Sequence, residues 1–278
     1  MQFLKNLLAS VLGTFIAIVL AFVFLFIIIA GVASSIDSTE EVNVREKSVL
    51  MINLQKPVTD RSPNQFELEA AFDLDAEAIG LDKILASIRA AKDDERIEGI
   101  SIEHTFLQSG MSQTQAMRDA LSDFKQSGKF VYAYHDFYTQ KDYYFASVAD
   151  SVFVHPEGGV DISGLASEVL YLKEFQDITG IQMQVIRNGA YKSAVEPFLR
   201  DEMSDENRQQ IKSLLDRFWK EMLVKMEERT ALNSEKINQI ASNLDASVAA
   251  NAVKIGVVDN TLLRNEYEEL LKNQMELG

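Results

Sequence analysis

The chain has 278 residues and a formal net charge of -15, with 27 Lys and Arg against 42 Asp and Glu. That balance, with no clustered basic run, argues against a nucleic-acid partner, because such binding needs grouped cations to displace counterions. There is no cysteine, which excludes disulfides and thiol catalysis and suits an oxidising compartment.

The apolar residues are unevenly spread. Between Asn6 and Ile36 there is no Asp, Glu, Lys or Arg. The densest part, 11–32, reads VLGTFIAIVLAFVFLFIIIAGV. As a helix it spans roughly 33 Å at about 1.5 Å per residue, enough to cross a hydrocarbon core of about 30 Å. A cleaved signal peptide is the competing reading. Its apolar region is shorter, about 7–15 residues, and ends at small residues; AGVASS after the run offers such a site. Length favours a retained anchor. Lys5 precedes the span, whereas Asp37, Glu40 and Glu41 follow it. Positive charge stays cytoplasmic, so residues 1–10 are expected on the cytoplasmic side, 11–32 as the single span and the soluble part outside. Residues 33–47 read as a polar linker, and 48–278 as one domain.

Within that domain, 48–54 (SVLMINL) has the length of a buried strand. The stretch 55–75, with Pro57 and Pro63, reads as loop. An alternation follows: helix 80–92, strand 97–102, helix 115–125, strand 130–134, helix 141–149, strand 151–154, helix 171–179, strand 181–186. Strands alternating with helices of about ten residues argue for crossover units and a largely parallel sheet, an α/β fold. Beyond it, 205–229 places Ile211, Leu214, Leu215, Phe218, Met222 and Met226 on one helical stripe, read as core in preference to a subunit contact. Ser204 is a suitable N-cap. Helices at 234–241 and near 247, a strand-like 255–259 and a charged helix at 265–273 complete the pattern.

The chemistry-bearing residues are few. His104, His135 and His155 fall at strand ends, where open α/β sheets place their sites. None has a second ligand at zinc spacing, and each reads as an ordinary polar loop residue. Gly158 and Gly159 form a turn that could also offer backbone amides to an oxyanion. No nucleotide-binding glycine pattern and no G-x-S-x-G elbow occurs, so no cofactor and no metal is expected. Lys192 stands among Ala190, Tyr191, Ala194 and Val195. A desolvated lysine there could accept a proton, while Glu196 four residues on could hold it charged as an ion pair. On residue chemistry alone, a surface lysine in a turn is the simpler reading.

The stretch GAYKSAVEPFLRDEMS, 189–204, resembles the lysine segment of the signal peptide peptidase A family of serine proteases, in its long form built of two similar halves. KDYYFASVADSVFVHPEGGVDISG, RFWKEMLVKMEERT and ANAVKIGVVDN resemble further segments of the N-terminal half, and with the anchor the likeness covers nearly the whole chain. The resemblance implies a crotonase- or Clp-protease-like fold, a Ser/Lys dyad and a ring-like oligomer. It carries the general-base lysine onto Lys192 and implies peptide substrates, namely remnant signal peptides and other apolar segments. The family's serine would fall at Gln140, just before the Tyr143–Tyr144 pair, and glutamine is no nucleophile. The serine is therefore expected from a C-terminal half or a partner chain, and this chain alone is expected to be inert. A membrane-anchored adaptor of the same fold without catalysis is the alternative.

Overall fold

A computed structural model of the chain describes residues 2–36, 43–62, 78–103, 106–186 and 192–277. The first element, α1 (Gln2–Ile36), is one unbroken helix of 35 residues. It runs past 11–32 at both ends, since no proline interrupts its good helix formers on either side. Of it, Gln2–Gly31 is long and apolar enough to cross a membrane, with mean hydropathy 3.1, and none of it is buried against the rest of the chain. A signal sequence at an N-terminus meets the same test.

The domain proper begins at β1 (Ser48–Ile52). Short β2 (Val58–Thr59) and β3 (Ile79–Gly80) pair with each other beside it. Then α2 (Leu81–Asp93), β4 (Ile97–Ile102), α3 (Met111–Lys125), β5 (Phe130–His135), α4 (Gln140–Ala146) and β6 (Ser151–Val154) alternate. A five-stranded sheet has the order β1-β4-β5-β6-β7, where β7 is Asn260–Thr261, and each neighbouring pair is parallel. The parallel-rich α/β architecture read from the alternation is thus the one observed.

Both faces of this sheet are covered, as a parallel sheet requires. Ile100, Ile102, Val131, Ala133, Val152 and Val154 are fully buried on one face, against Ile88 of α2 and Met117, Leu121 and Phe124 of α3. Their alternates, Tyr134 and Phe153, point the other way. They pack under Tyr267 and Leu271 of the last helix, α10 (Arg264–Leu277). Two-residue periodicity along β5 and β6 therefore serves two separate cores.

Past β6 the chain leaves the sheet. Residues 161–172 belong to no helix or strand, and are followed by α5 (Lys173–Thr179), a 3-10 turn at Ser193–Val195 and α6 (Glu196–Leu199). α5 stops at Gly180, whose φ of 72° is the left-handed conformation that glycine adopts without strain. The expected strand at 181–186 does not form. Among the described residues it finds no partner strand: Ile181 and Ile186 are 66% and 97% exposed, and the Met183 amide donates to the Gln176 side chain instead.

The chain returns through α7 (Asp205–Thr230), α8 (Ser234–Asn243) and α9 (Ala249–Lys254). Ser204 caps α7 by accepting the Asn207 amide, as expected. The apolar stripe of α7 divides. Met222, Leu223 and Met226 enter the core, while Leu214 and Phe218 are 52% and 37% exposed. The 26-residue helix packs on the shorter α4 and α8, so Leu214 and Phe218 fall outside the core that Met222 and Met226 enter. The strand-like 255–259 is a turn behind α9: Gly256 takes φ 76°, and the Val257 amide returns to Ala252. The strand proper starts one residue later.

Candidate active site

The site elements grow from the carboxyl end of β5. Thr139 caps α4 by accepting the Asp142 amide, while Asp142 accepts from the Thr139 amide and, at 2.6 Å, its hydroxyl. This reciprocal box fixes the first turn of α4, and Gln140 is its first residue.

The Gln140 side chain folds inward, 9% exposed. Its Oε1 accepts the backbone amides of Ser163 and Gly164 at 2.9 and 2.8 Å. Its Nε2 donates to the Gly164 carbonyl at 3.0 Å and lies 3.9 Å from the Met222 sulfur on α7. One carboxamide thus ties α4 to the start of the 161–200 arm. The position where the family resemblance expects a nucleophile carries a satisfied, non-nucleophilic group.

Lys192 lies on the returning limb of that arm, as the residue preceding the 3-10 turn, and is exposed. Residues 187–191, the first part of its segment, are outside the described residues. The two limbs are pinned together. The Leu172 amide donates to the Pro197 carbonyl at 2.7 Å, Gln176 Nε2 to the Phe198 carbonyl at 2.9 Å, and Lys173 pairs with Asp201 at 2.8 Å.

Glu196, the carboxylate that could have held Lys192 as an ion pair, is turned the other way. It is buried and accepts from the Ser204 hydroxyl, the Ser204 amide at 3.2 Å and Asn207 Nδ2 at 3.1 Å. The Ser204 hydroxyl above all, with its amide and Asn207, holds the Glu196 carboxyl below its usual range. Among the described residues no carboxylate lies within ion-pair distance of Lys192. Sequence spacing suggested a Lys192–Glu196 pair, but a 3-10 turn at Ser193–Val195 lies between them and Glu196 bonds to Ser204 and Asn207 instead.

The other candidates take structural roles. Gly158 and Gly159 allow close backbone approach: an added Cβ would stand 1.9 Å from the Asp136 carbonyl oxygen and 2.0 Å from that of Ser247. The Gly158 amide is already spent on the His155 carbonyl. The convergent amide pair belongs to Ser163 and Gly164, and nothing in their spacing marks them. His135 is no loop residue; it ends β5, buried and stacked on Tyr138 at 4.2 Å between ring centroids. His155 Nδ1 accepts the Glu157 amide at 3.1 Å in a turn, and His104 lies outside the described residues. A polar cavity of about 210 Å³ opens where β1, β4 and β5 end, lined by Gln55, Glu103, His135, Asp136 and Arg264. Arg264 pairs with Glu103 across it, so its charge is compensated internally.

The family model of peptidase family S49 matches residues 123–278. Protease 4 of Haemophilus influenzae is 29% identical over 261 residues, covering 89% of this chain and 42% of that protein. Protease 4 of Salmonella typhi is 31% identical over 212 residues, 73% of this chain and 34% of that protein. The chloroplastic serine protease SPPA of Arabidopsis thaliana is 27% identical over 232 residues, with 84% and 33% covered. The chain therefore spans well under half the length of the curated relatives it matches. Since the family match runs from α3 through α10, over more than half of its residues, the chain belongs to peptidase family S49.

Proposed function

We propose that this chain is the lysine-bearing, membrane-anchored half of a Ser/Lys peptidase, with Lys192 as general base and the serine supplied by a C-terminal half or partner chain. The observation that carries the reading is the pairing of opposites at the two dyad positions. Gln140 is consumed by backbone bonds, whereas Lys192 is exposed and its nearest acidic neighbour in sequence is engaged elsewhere.

In the completed site the serine hydroxyl attacks the peptide carbonyl and neutral Lys192 takes its proton, then returns it to the leaving amine. Water repeats the sequence to release the acyl group. An exposed ammonium is a poor base, so Lys192 must be dried by the partner. Leu170, Ile178, Ile181 and Ile186 on the same arm are 66–97% exposed, an apolar surface suited to exclude water once covered. Substrates are cleaved signal peptides and similar apolar segments, in keeping with α1 as an anchor in the inner membrane and the domain on its periplasmic face. The assembled form is a homo-oligomer.

A serine-directed fluorophosphonate tests the division of labour. The chain alone should stay unlabelled, and the completed assembly should be labelled only on the serine-bearing part. Stoichiometric labelling of this chain by itself would refute the split site.

A further inference from the structure

The bonds around Gln140 have a form of their own. A single amide oxygen receives two backbone N–H groups at 2.9 and 2.8 Å, and the amide nitrogen beside it donates to the Gly164 carbonyl. The Gly164 N–H and C=O thus meet the carboxamide as they would meet a peptide group, and the left-handed Gly164, φ 81°, stands where the Ser163 amide joins them on the same oxygen. Two N–H donors converging on one oxygen at about 2.7–3.1 Å is also the arrangement that stabilises an acyl oxyanion. The backbone that offers them is open: Ser163 and Leu165 are exposed, and 161–172 belongs to no strand.

We propose that the Ser163 and Gly164 amides form a cradle for an acyl oxygen, whether peptide carbonyl or carboxylate, which this chain keeps filled with its own Gln140 carboxamide. The occupant matches the cradle chemically, since its oxygen accepts and its nitrogen donates as a peptide group would. It is also held in place. Gln140 starts a helix whose first turn is locked by the Thr139–Asp142 box, and the Met222 sulfur lies beside its carboxamide. A peptide reaching this turn finds the cradle taken, so the acyl group is left to the amides of another subunit or half. The inference stands independently of the role given to Lys192.

The test follows the Ser163 and Gly164 amide resonances in the ¹⁵N-labelled full chain in detergent, titrated with sodium acetate. In the unmodified chain neither amide should move, and the Gln140 side-chain NH₂ should exchange more slowly than those of exposed glutamines. Gln140→Ala should give saturable shifts confined to the two amides. Gln140→Glu should stay unresponsive, because its own carboxylate fills the cradle. Acetate shifts in the unmodified chain equal to those of Gln140→Ala would overturn the proposal, as would a folded Gln140→Ala that does not respond. Should that variant fail to fold, the unmodified chain still decides: a Gln140 NH₂ exchanging as fast as exposed glutamines would refute the plug.

Discussion

Two side chains at the roots of one arm define the site at the scale of the residue. Gln140 holds the outgoing limb through three backbone bonds, and Glu196 holds the return through Ser204 and Asn207. Losing such partners strands polar groups, at about 1–3 kcal/mol each where water cannot replace them. Glu196→Ala should therefore lower unfolding stability by about that amount, and Gln140→Ala by less, because Ser163 is open to water. The Glu196 carboxyl also sets a pH dependence. Its folded pKa lies below the unfolded value of about 4.3, so its contribution is complete above that pH and is lost as pH falls further toward the folded value. Glu196→Gln should flatten this part of the acid limb in a plot of thermal midpoint against pH; an unchanged slope would show that the network does not hold the charge. His155, which among the described residues accepts a turn amide, is given no part in the proposed chemistry. In the completed enzyme, His155→Ala should leave kcat within about tenfold, or about 1.4 kcal/mol of barrier.

Among the elements, α7 divides its work along its length. Met226→Ala should cost about 2–5 kcal/mol by opening a cavity in the core, whereas Leu214→Ala should change stability by no more than about 0.5 kcal/mol. Urea unfolding of the two variants distinguishes this division from a uniformly buried stripe. The sequence pattern showed the stripe because periodicity reports which residues share a face. It could not show where along the helix that face meets a neighbour. The same distinction runs through the fold. Strands β1, β4, β5 and β6 were legible as short apolar runs between helical periods, and the Ser204 cap as a residue type at a boundary. Residues 181–186 have the composition of a strand and lack a partner strand, which composition does not encode. The plugged amide pair was illegible for a similar reason: Gln140 and Ser163 are 23 positions apart, and backbone amides carry no side-chain signature. Lys192 was singled out by its apolar setting and its family resemblance, yet its release from Glu196 is visible only once the bonds from Ser204 and Asn207 to that carboxylate are seen.

For the molecule as a whole, the Clp-protease-like sheet, the arm and α1 propose a division between an anchor, a scaffold and a lysine carrier. Lys5 near the start of α1 and the acids beyond its end are the charge pattern from which we propose a domain outside the cytoplasm. A reporter active only there, fused after Gly278, should be active, and activity from a cytoplasm-only reporter would reverse the orientation and the substrate class. The central claim is that this chain supplies the general base and another supplies the nucleophile. Its most direct measurement is peptide turnover by the full chain alone, with the serine-bearing part added, and with Lys192→Ala and Lys192→Arg in the completed assembly. The chain alone should be inactive and the assembly active. Both variants should lose at least about 10²–10⁴-fold in kcat, because alanine offers no base and a guanidinium does not give up its proton. Turnover by the chain alone, or an assembly that keeps its rate with Lys192→Ala, would contradict the account.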